Sequence, residues 1–286
     1  MLQPPIAKQV PFNHVRHGVP VADPWHWLRD RDDPDTIAYL EAENAYANSF
    51  FEPLAPLRET IFGEIRSRTQ ETDLSVPVTK GPWSYYSRTV EGLQYPIHCR
   101  RPADADPDDP STEQVLLDEN VEATRVGAEY FALGVFDVSP DHRWLAWATD
   151  DDGSELYELS LRDLGAGVDI GDHVSGVYYG SAWSLDGSSL FYVRTDEAMR
   201  PYQVWRHDLG QIEDTLVFTE HDESFYLTVD LTRSERYIVI STASKTSGES
   251  WVIPSDAVTV DPLLIAPRRA DHEYSIEHQG DRFLIL

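Results

Sequence analysis

From about Val76 onward the chain consists of short runs rich in β-branched and aromatic residues, broken by Gly, Asp and Ser. "WSYYSR", "YPIHCR", "WLAWAT", "LYELSL", "LFYVR", "YQVWRH", "YIVIST" and "SWVIP" all have the texture of strands. The pattern before Val76 has a helical period instead. In "RDDPDTIAYLEAENAYANSFF", Ile37, Leu40, Ala47 and Phe51 fall on one face. Asp33 stands as N-cap, Pro34 at the first helical position and Asp35 in the first turn. "APLRETIFGEIRSRT" places Leu57, Ile61 and Ile65 at spacings of four. Both predicted helices are amphipathic and need a larger apolar surface to pack on, which nothing else N-terminal supplies. The acidic, Pro-rich "ADADPDDPSTEQ" reads as a solvated loop between two strands.

The strands repeat. "SPDHRWLAWATDDDGSELYELSLRDLG", "SLDGSSLFYVRTDEAMRPYQVWRHDLG" and "TRSERYIVISTASKTSGESWVIPSDAV" align, with Asp141, Asp186 and Ser234 in one turn and Asp163, Asp208 and Asp256 in the next. The alignment also puts Trp144 and Trp183 in the first strands of their units, predicting that both pack between units. A period of roughly 45 residues with several strands per unit is that of a β-propeller blade. One blade cannot bury both faces, so blades stack about an axis. A fourth copy begins at Arg282, where Phe283 matches Tyr237. Its next turn falls beyond Leu286, so the chain is expected to stop one or two strands into a blade. The fold predicted is all-β: an incomplete β-propeller of about four to five blades over residues 73–286, preceded by a two-helix arm over residues 1–72. An unfinished blade leaves the apolar strand "RFLIL" without a neighbour, which predicts self-association of the chain alone.

Composition narrows the classes. Hydrophobic residues at 41% are enough for a globular core. The single cysteine, Cys99, excludes an internal disulfide and suits a reducing compartment. "MLQPPIAKQVPF" lacks a basic segment followed by an apolar one, and no stretch approaches the ~18 to 20 apolar residues of a span, so no membrane association and a cytoplasmic location are expected. The formal charge is −27, from 23 Lys plus Arg against 50 Asp plus Glu, which argues against nucleic acid as a partner. It is compatible with steering basic peptides and equally with solubility alone.

Three stretches carry a resemblance: "VADPWHWLRD" (Val21 to Asp30), "PYQVWRH" (Pro201 to His207) and "RRADHEYSIEH" (Arg268 to His278). In order and spacing they resemble those of oligopeptidase B, the trypsin-like branch of the prolyl oligopeptidase family of serine peptidases, over essentially the whole chain. The resemblance implies a seven-bladed propeller set as a lid over an α/β-hydrolase domain with a Ser-Asp-His triad. It also implies that the arm helices pack mainly on the hydrolase domain, and that the substrates are short peptides cut after Lys or Arg. In that family the hydrolase domain follows the propeller, so it is expected to be absent from these 286 residues.

The residues themselves offer no nucleophile. A nucleophile elbow needs Gly-x-Ser-x-Gly on a strand-to-helix turn. "GSSLF" at Gly187 and "GESWV" at Gly248 lack the second Gly and sit in strand-to-strand hairpins. The triad therefore has no positions here to be carried onto, and no catalytic residue is assigned. His14 and His17 form an HxxH in a Pro-rich, extended stretch without a third ligand, and "DDDG" lacks the spacing of a calcium loop and reads as a hairpin turn, so no metal site is assigned. No phosphate-cradling or dinucleotide motif is present, so no cofactor is assigned. Cys99 alternates with Ile97 and reads as a buried apolar residue. Trp25 and Trp27, flanking His26, read as anchors onto a partner surface. Arg206, His207 and Asp208 hint at a charge relay with no Ser to complete it. Two readings follow. One is the gating-propeller portion of an oligopeptidase B-like endopeptidase, inactive by itself. The other is a free-standing, non-catalytic propeller that binds a peptide or protein.

Overall fold

The N-terminal stretch is a hairpin rather than simply extended. Strand β1 (Asn13–Arg16) pairs antiparallel with β2 (Val19–Ala22) through a two-residue turn at His17 and Gly18. Both turn residues have positive φ, 52° and 80°, as a primed hairpin turn requires. Helix α1 (Pro34–Phe51) starts where the cap chemistry places it, the Asp33 carboxylate accepting from the Asp35 amide at 2.7 Å. Helix α2 (Ala55–Arg66) follows after one 3-10 turn. The computed structural model describes residues 3–127 and 129–286, and the chain divides into two compact units, Met1–Glu71 and Thr72–Leu286.

The second unit is a succession of antiparallel meanders, and within each sheet a strand pairs with the next in sequence. The first sheet holds β3 (Val78–Lys80), β4 (Trp83–Arg88), β5 (Ile97–Pro102) and β6 (Gln114–Asp118). The acidic loop of residues 103–113 connects β5 to β6, as its composition predicts. Helix α3 (Glu119–Val126), capped by Asp118 and closed by Gly127 at φ 69°, follows β6. Its eight residues, "ENVEATRV", carry too few apolar positions to announce a helical period.

The next two sheets share a strand. They comprise β7 (Ala132–Val138), β8 (Trp144–Asp150), β9 (Tyr157–Asp163), β10 (Val168–Trp183), β11 (Ser189–Thr195), β12 (Pro201–Asp208) and β13 (Thr215–Thr219), hydrogen-bonded in that order. The 16 residues of β10 pair with β9 as far as Val177 and with β11 from Tyr178 onward. One strand thus ends one four-stranded sheet and begins the next. The change of direction uses Gly180, at φ +97°, where an added Cβ would lie 3.1 Å from the Val229 carbonyl oxygen. Only glycine meets both conditions. A fourth sheet contains β14 (Tyr226–Leu231), β15 (Tyr237–Ala243), β16 (Gly248–Pro254) and β17 (Leu263–Ala266). A two-stranded sheet of β18 (Ile276–Gln279) and β19 (Arg282–Ile285) comes last.

The core lies between consecutive sheets. Leu117 of the first sheet meets Leu145 and Trp147 of the second. Val135 and Leu159 meet Leu190 and Tyr192, and Phe191 and Val193 meet Val229, Ile238 and Ile240 on the other side. Strand β11 is therefore covered on both faces, which is why "LFYV" reads as a continuous apolar run rather than an alternating one. Burying each of these side chains is worth roughly 1.5–3 kcal/mol of transfer free energy before entropy is counted. Tyr237, His278 and Phe283 form a ring cluster that joins the fourth sheet to the last.

The repeat appears as one turn built three times. The Ser139 amide donates to the Trp144 carbonyl (2.9 Å), that of Ser184 to Ser189 (2.8 Å) and that of Thr232 to Tyr237 (2.9 Å). In each, the hydroxyl of the first residue accepts the returning amide. The fourth residues, His142, Gly187 and Glu235, all lie in the left-handed region, at φ 62°, 67° and 57°.

This register corrects one detail of the sequence alignment and one expectation drawn from it. Trp144 matches Ser189, as aligned, but it follows its turn and opens the second strand of its sheet, whereas Trp183 precedes its turn, in a sheet-leading strand, and matches Val138. Trp183 is buried, but Trp144 is only partly covered and lies under the Arg143 guanidinium at 4.4 Å, while Trp147 occupies the core. Asp256 also loses its place. Asp163 pairs with Trp144 and Asp208 with Ser189, but the residue paired with Tyr237 is Pro254, 17 residues on rather than 19. The hairpin between β15 and β16 is two residues shorter, which carries Asp256 past the strand end.

Candidate functional site

Four strands that begin sheets, β3, β7, the last part of β10, and β14, converge on one cavity of about 860 Å³. Its polar lining consists chiefly of Lys80, Asp137, Ser181, Asp230, Arg233 and Glu235. Three carboxylates stand there against two cations, one of which, Lys80, is paired with Glu235. The repeat explains two of the acids. Asp137 and Asp230 each stand two residues before the turn Ser or Thr, in "DVS" and "DLT", and so occupy the same position on two of the three sheet-leading strands that carry this turn, the end of β10 having Ala182 there. Glu235 holds the left-handed turn position otherwise filled by His142 and Gly187, an uncommon conformation for a residue with a side chain. Its carboxylate lies 2.6 Å from the Lys80 ammonium, linking the turn before β15 to β3.

Asp137 is an acid of this cavity whose titration its surroundings shift. Burial pushes its carboxyl up to about 6, while the hydrogen bond from the Ser181 hydroxyl (3.0 Å) pulls the other way. The Trp183 indole donates to its carbonyl oxygen at 3.1 Å, so both its backbone and its side chain are fixed by β10. A carboxyl that titrates near neutrality gains from a neighbouring cation, because the ionised form is the one that cation stabilises. Beside the channel, the Tyr85 hydroxyl meets His142 Nδ1 at 2.8 Å, and burial holds His142 below its ordinary value.

The residues singled out in sequence are distributed otherwise. Cys99 is buried with Tyr86 and Ile97, and burial pushes its thiol up to about 12, well away from a reactive thiolate. In the "DDDG" hairpin the Asp150 carboxylate accepts the amides of Asp152, Gly153 and Glu155, so it shapes its own turn. His207 is clamped between Asp214 (2.8 Å) and Asp172 (3.3 Å), whereas Asp208 accepts from Ser189 and Arg206. These bonds tie β10, β11, β12 and the loop before β13. Arg268 packs on Phe225 at 3.7 Å and pairs with Glu220 and Glu249. Trp25 and Trp27 do not alternate along a strand; a 3-10 turn separates their directions. The Trp27 indole donates to the Lys8 carbonyl at 3.0 Å, and Trp25 is half exposed. Ser234 does meet His278 at 2.9 Å, but His278 is buried in the ring cluster of Tyr237 and Phe283, where a peptide bond has no access. The residues that carry the resemblance thus act mostly as structural clamps, and the channel acids lie outside those stretches. The recurrence of Asp before the turn was the signal that could have found two of them.

Comparison with known proteins agrees with this architecture. A family model described as the prolyl oligopeptidase N-terminal beta-propeller domain matches residues 4–286. The chain is 37% identical to dipeptidyl aminopeptidase BI of Pseudoxanthomonas mexicana over 298 residues, covering 99% of this chain and 41% of the relative. It is 37% identical to protease 2 of Moraxella lacunata, again over 99% of this chain and 41% of the relative. Among solved structures, oligopeptidase B from Leishmania major superposes with a TM-score of 0.90 at 28% identity, over 99% of this chain and 42% of that one. The chain therefore spans about two fifths of the length of the relatives it matches. On these grounds it belongs to the prolyl oligopeptidase family of peptidases and comprises that family's N-terminal β-propeller domain.

Proposed function

We propose that the chain serves as the gating propeller of an oligopeptidase B-like serine endopeptidase. In this reading the channel admits short, Lys- or Arg-containing peptides to a catalytic α/β-hydrolase part, and the 286 residues alone do not hydrolyse them. The arm helices would pack on that part, a full propeller would have seven blades, and the protein would work in the cytoplasm. The carrying observation is the set of three carboxylates, Asp137, Asp230 and Glu235, on the strands and turn that surround the cavity. Carboxylates of one sign in a walled channel concentrate cationic ligands and fall in effect as salt rises. The relatives' names differ, one a dipeptidyl aminopeptidase and another an oligopeptidase, so whether substrates are cut internally or from the amino end belongs to the three fifths of those relatives that this chain does not span.

Two measurements test the proposal. Incubated with Arg- and Lys-amide substrates, the chain should give no turnover above buffer, and a fluorophosphonate should label none of its serines. Titrated with a short Arg-rich peptide, it should bind in a salt-sensitive way, several-fold more weakly after Asp230→Asn. Binding that is indifferent to the peptide's charge would overturn the gating role of the acids. Tight, saturable capture of a neutral partner by the chain alone would favour the free-standing binding module.

A further inference from the structure

Outside the channel, the hairpin of the arm assembles three side chains that the sequence leaves apart. Register sets the first contact: Asn13 pairs with Ala22 and His14 with Val21, and the Asp23 amide continues the ladder by donating to the Phe12 carbonyl at 2.9 Å. His14 and Asp23 therefore stand side by side, His14 Nε2 to Asp23 Oδ2 at 2.8 Å. The turn after Asp23 brings in the third, the His26 amide donating to the Asp23 carbonyl at 3.3 Å and His26 Nδ1 lying 3.6 Å from Asp23 Oδ2. The donor atoms of His14, Asp23 and His26 all lie within 4.8 Å of one another.

We infer that His14, Asp23 and His26 form a binding site for a divalent transition metal of the zinc type. Two imidazoles and one carboxylate are a donor set that such ions take, leaving positions for water. Zinc bonds of roughly 2.0–2.1 Å set tetrahedral donors about 3.3 Å apart. Two edges of the triangle, 2.8 Å and 3.6 Å, lie either side of that separation and the third is no longer than 4.8 Å, so the donors are within reach of one ion after side-chain adjustment.

Two further features support this assignment. His26 Nδ1 is a buried nitrogen with no hydrogen-bond partner, an unfavourable state that a metal bond removes. Its ring is held in place by Phe12, stacked at 3.6 Å and 2° from parallel, and Asp23 Oδ1 accepts from the Trp25 amide at 3.3 Å, which leaves Oδ2 for the ion. Fixed orientation of the first ligands is what makes a small site bind. His17, the other half of the HxxH, is not part of it: it occupies the hairpin turn at φ 52°.

Cobalt(II) chloride, titrated into the full 286-residue chain and followed by its visible absorption, tests the site. The expected result is one equivalent bound, displaced by zinc, with His14→Ala and His26→Gln each weakening binding at least about tenfold and His17→Ala leaving it unchanged. His26→Gln removes the imidazole ligand while keeping a polar side chain of similar length, and is the variant to rely on if His14→Ala fails to fold. Failure of the wild-type chain to bind cobalt at micromolar concentration, or undiminished binding by His26→Gln, would overturn the assignment. Neither result bears on the channel, so the two ideas stand or fall separately.

Discussion

The helical arm and the sheets hold their apolar residues in opposite ways. In the sheet unit Leu145, Phe191, Ile238 and Ile240 are wholly inaccessible, each between two sheets. Among the described residues of the arm no apolar side chain is buried and Thr36 is the one buried residue, while Leu57, Ile61 and Ile65 remain 56%, 48% and 61% exposed. The difference teaches what each pattern demands. A strand with alternating or continuous apolar residues is satisfied by the next repeat of the same chain, some 45 residues away. An amphipathic helix specifies a face but not what covers it, and two short helices joined by one turn cannot cover each other.

The strongest way to break this comparison is to empty a position between sheets. Trp147→Ala removes a side chain buried among Leu116, Leu117 and Leu145 and should cost roughly 3–5 kcal/mol in urea unfolding of the sheet unit. Trp144→Ala, at the partly covered position, should cost clearly less. Equal costs would mean that the register drawn from the three turns is wrong.

The next effect is electrostatic. The Asp137 carboxyl is raised from its ordinary 3.8 to about 6, so the folded state holds that proton more tightly than the unfolded chain. Its favourable contribution is full below the unfolded value and disappears as pH rises through the folded one. Asp137→Asn should therefore gain on the wild type between pH 4 and pH 7, on the order of 1–2 kcal/mol once partial solvent access is allowed for. A difference that does not change with pH would remove Asp137 from the list of perturbed groups.

Effects in the arm should be smaller. Asp33→Ala deletes the cap of α1 and should cost about 1 kcal/mol of local helix stability, visible as lost helical circular dichroism with the sheet transition unchanged. Ile61→Ser, on an exposed face, should stay within about 0.5 kcal/mol. A cost of several kcal/mol there would show that the face is covered in solution, which is the packing surface the arm requires.

Much of this molecule is written locally. Period-2 and continuous apolar runs, turn residues and the near-45-residue repeat specify strands, meanders and their succession, because each depends on neighbours a few positions away. Asp33, Pro34 and Asp35 likewise specify where α1 begins. Other features depend on contacts that no window of sequence contains. The handing over of β10 from one sheet to the next at Gly180, the pairing of Tyr237 with Pro254 rather than a residue two places on, and the partial exposure of Trp144 beside a buried Trp147 were decided by hairpin lengths and packing across sheets. The same holds for the candidate sites. Lys80 and Glu235 meet around a cavity, and His14, Asp23 and His26 meet across a hairpin, through backbone register and sheet stacking. Residue type and spacing name the groups that can do chemistry, but only the closed backbone sets the few ångströms between them on which that chemistry depends.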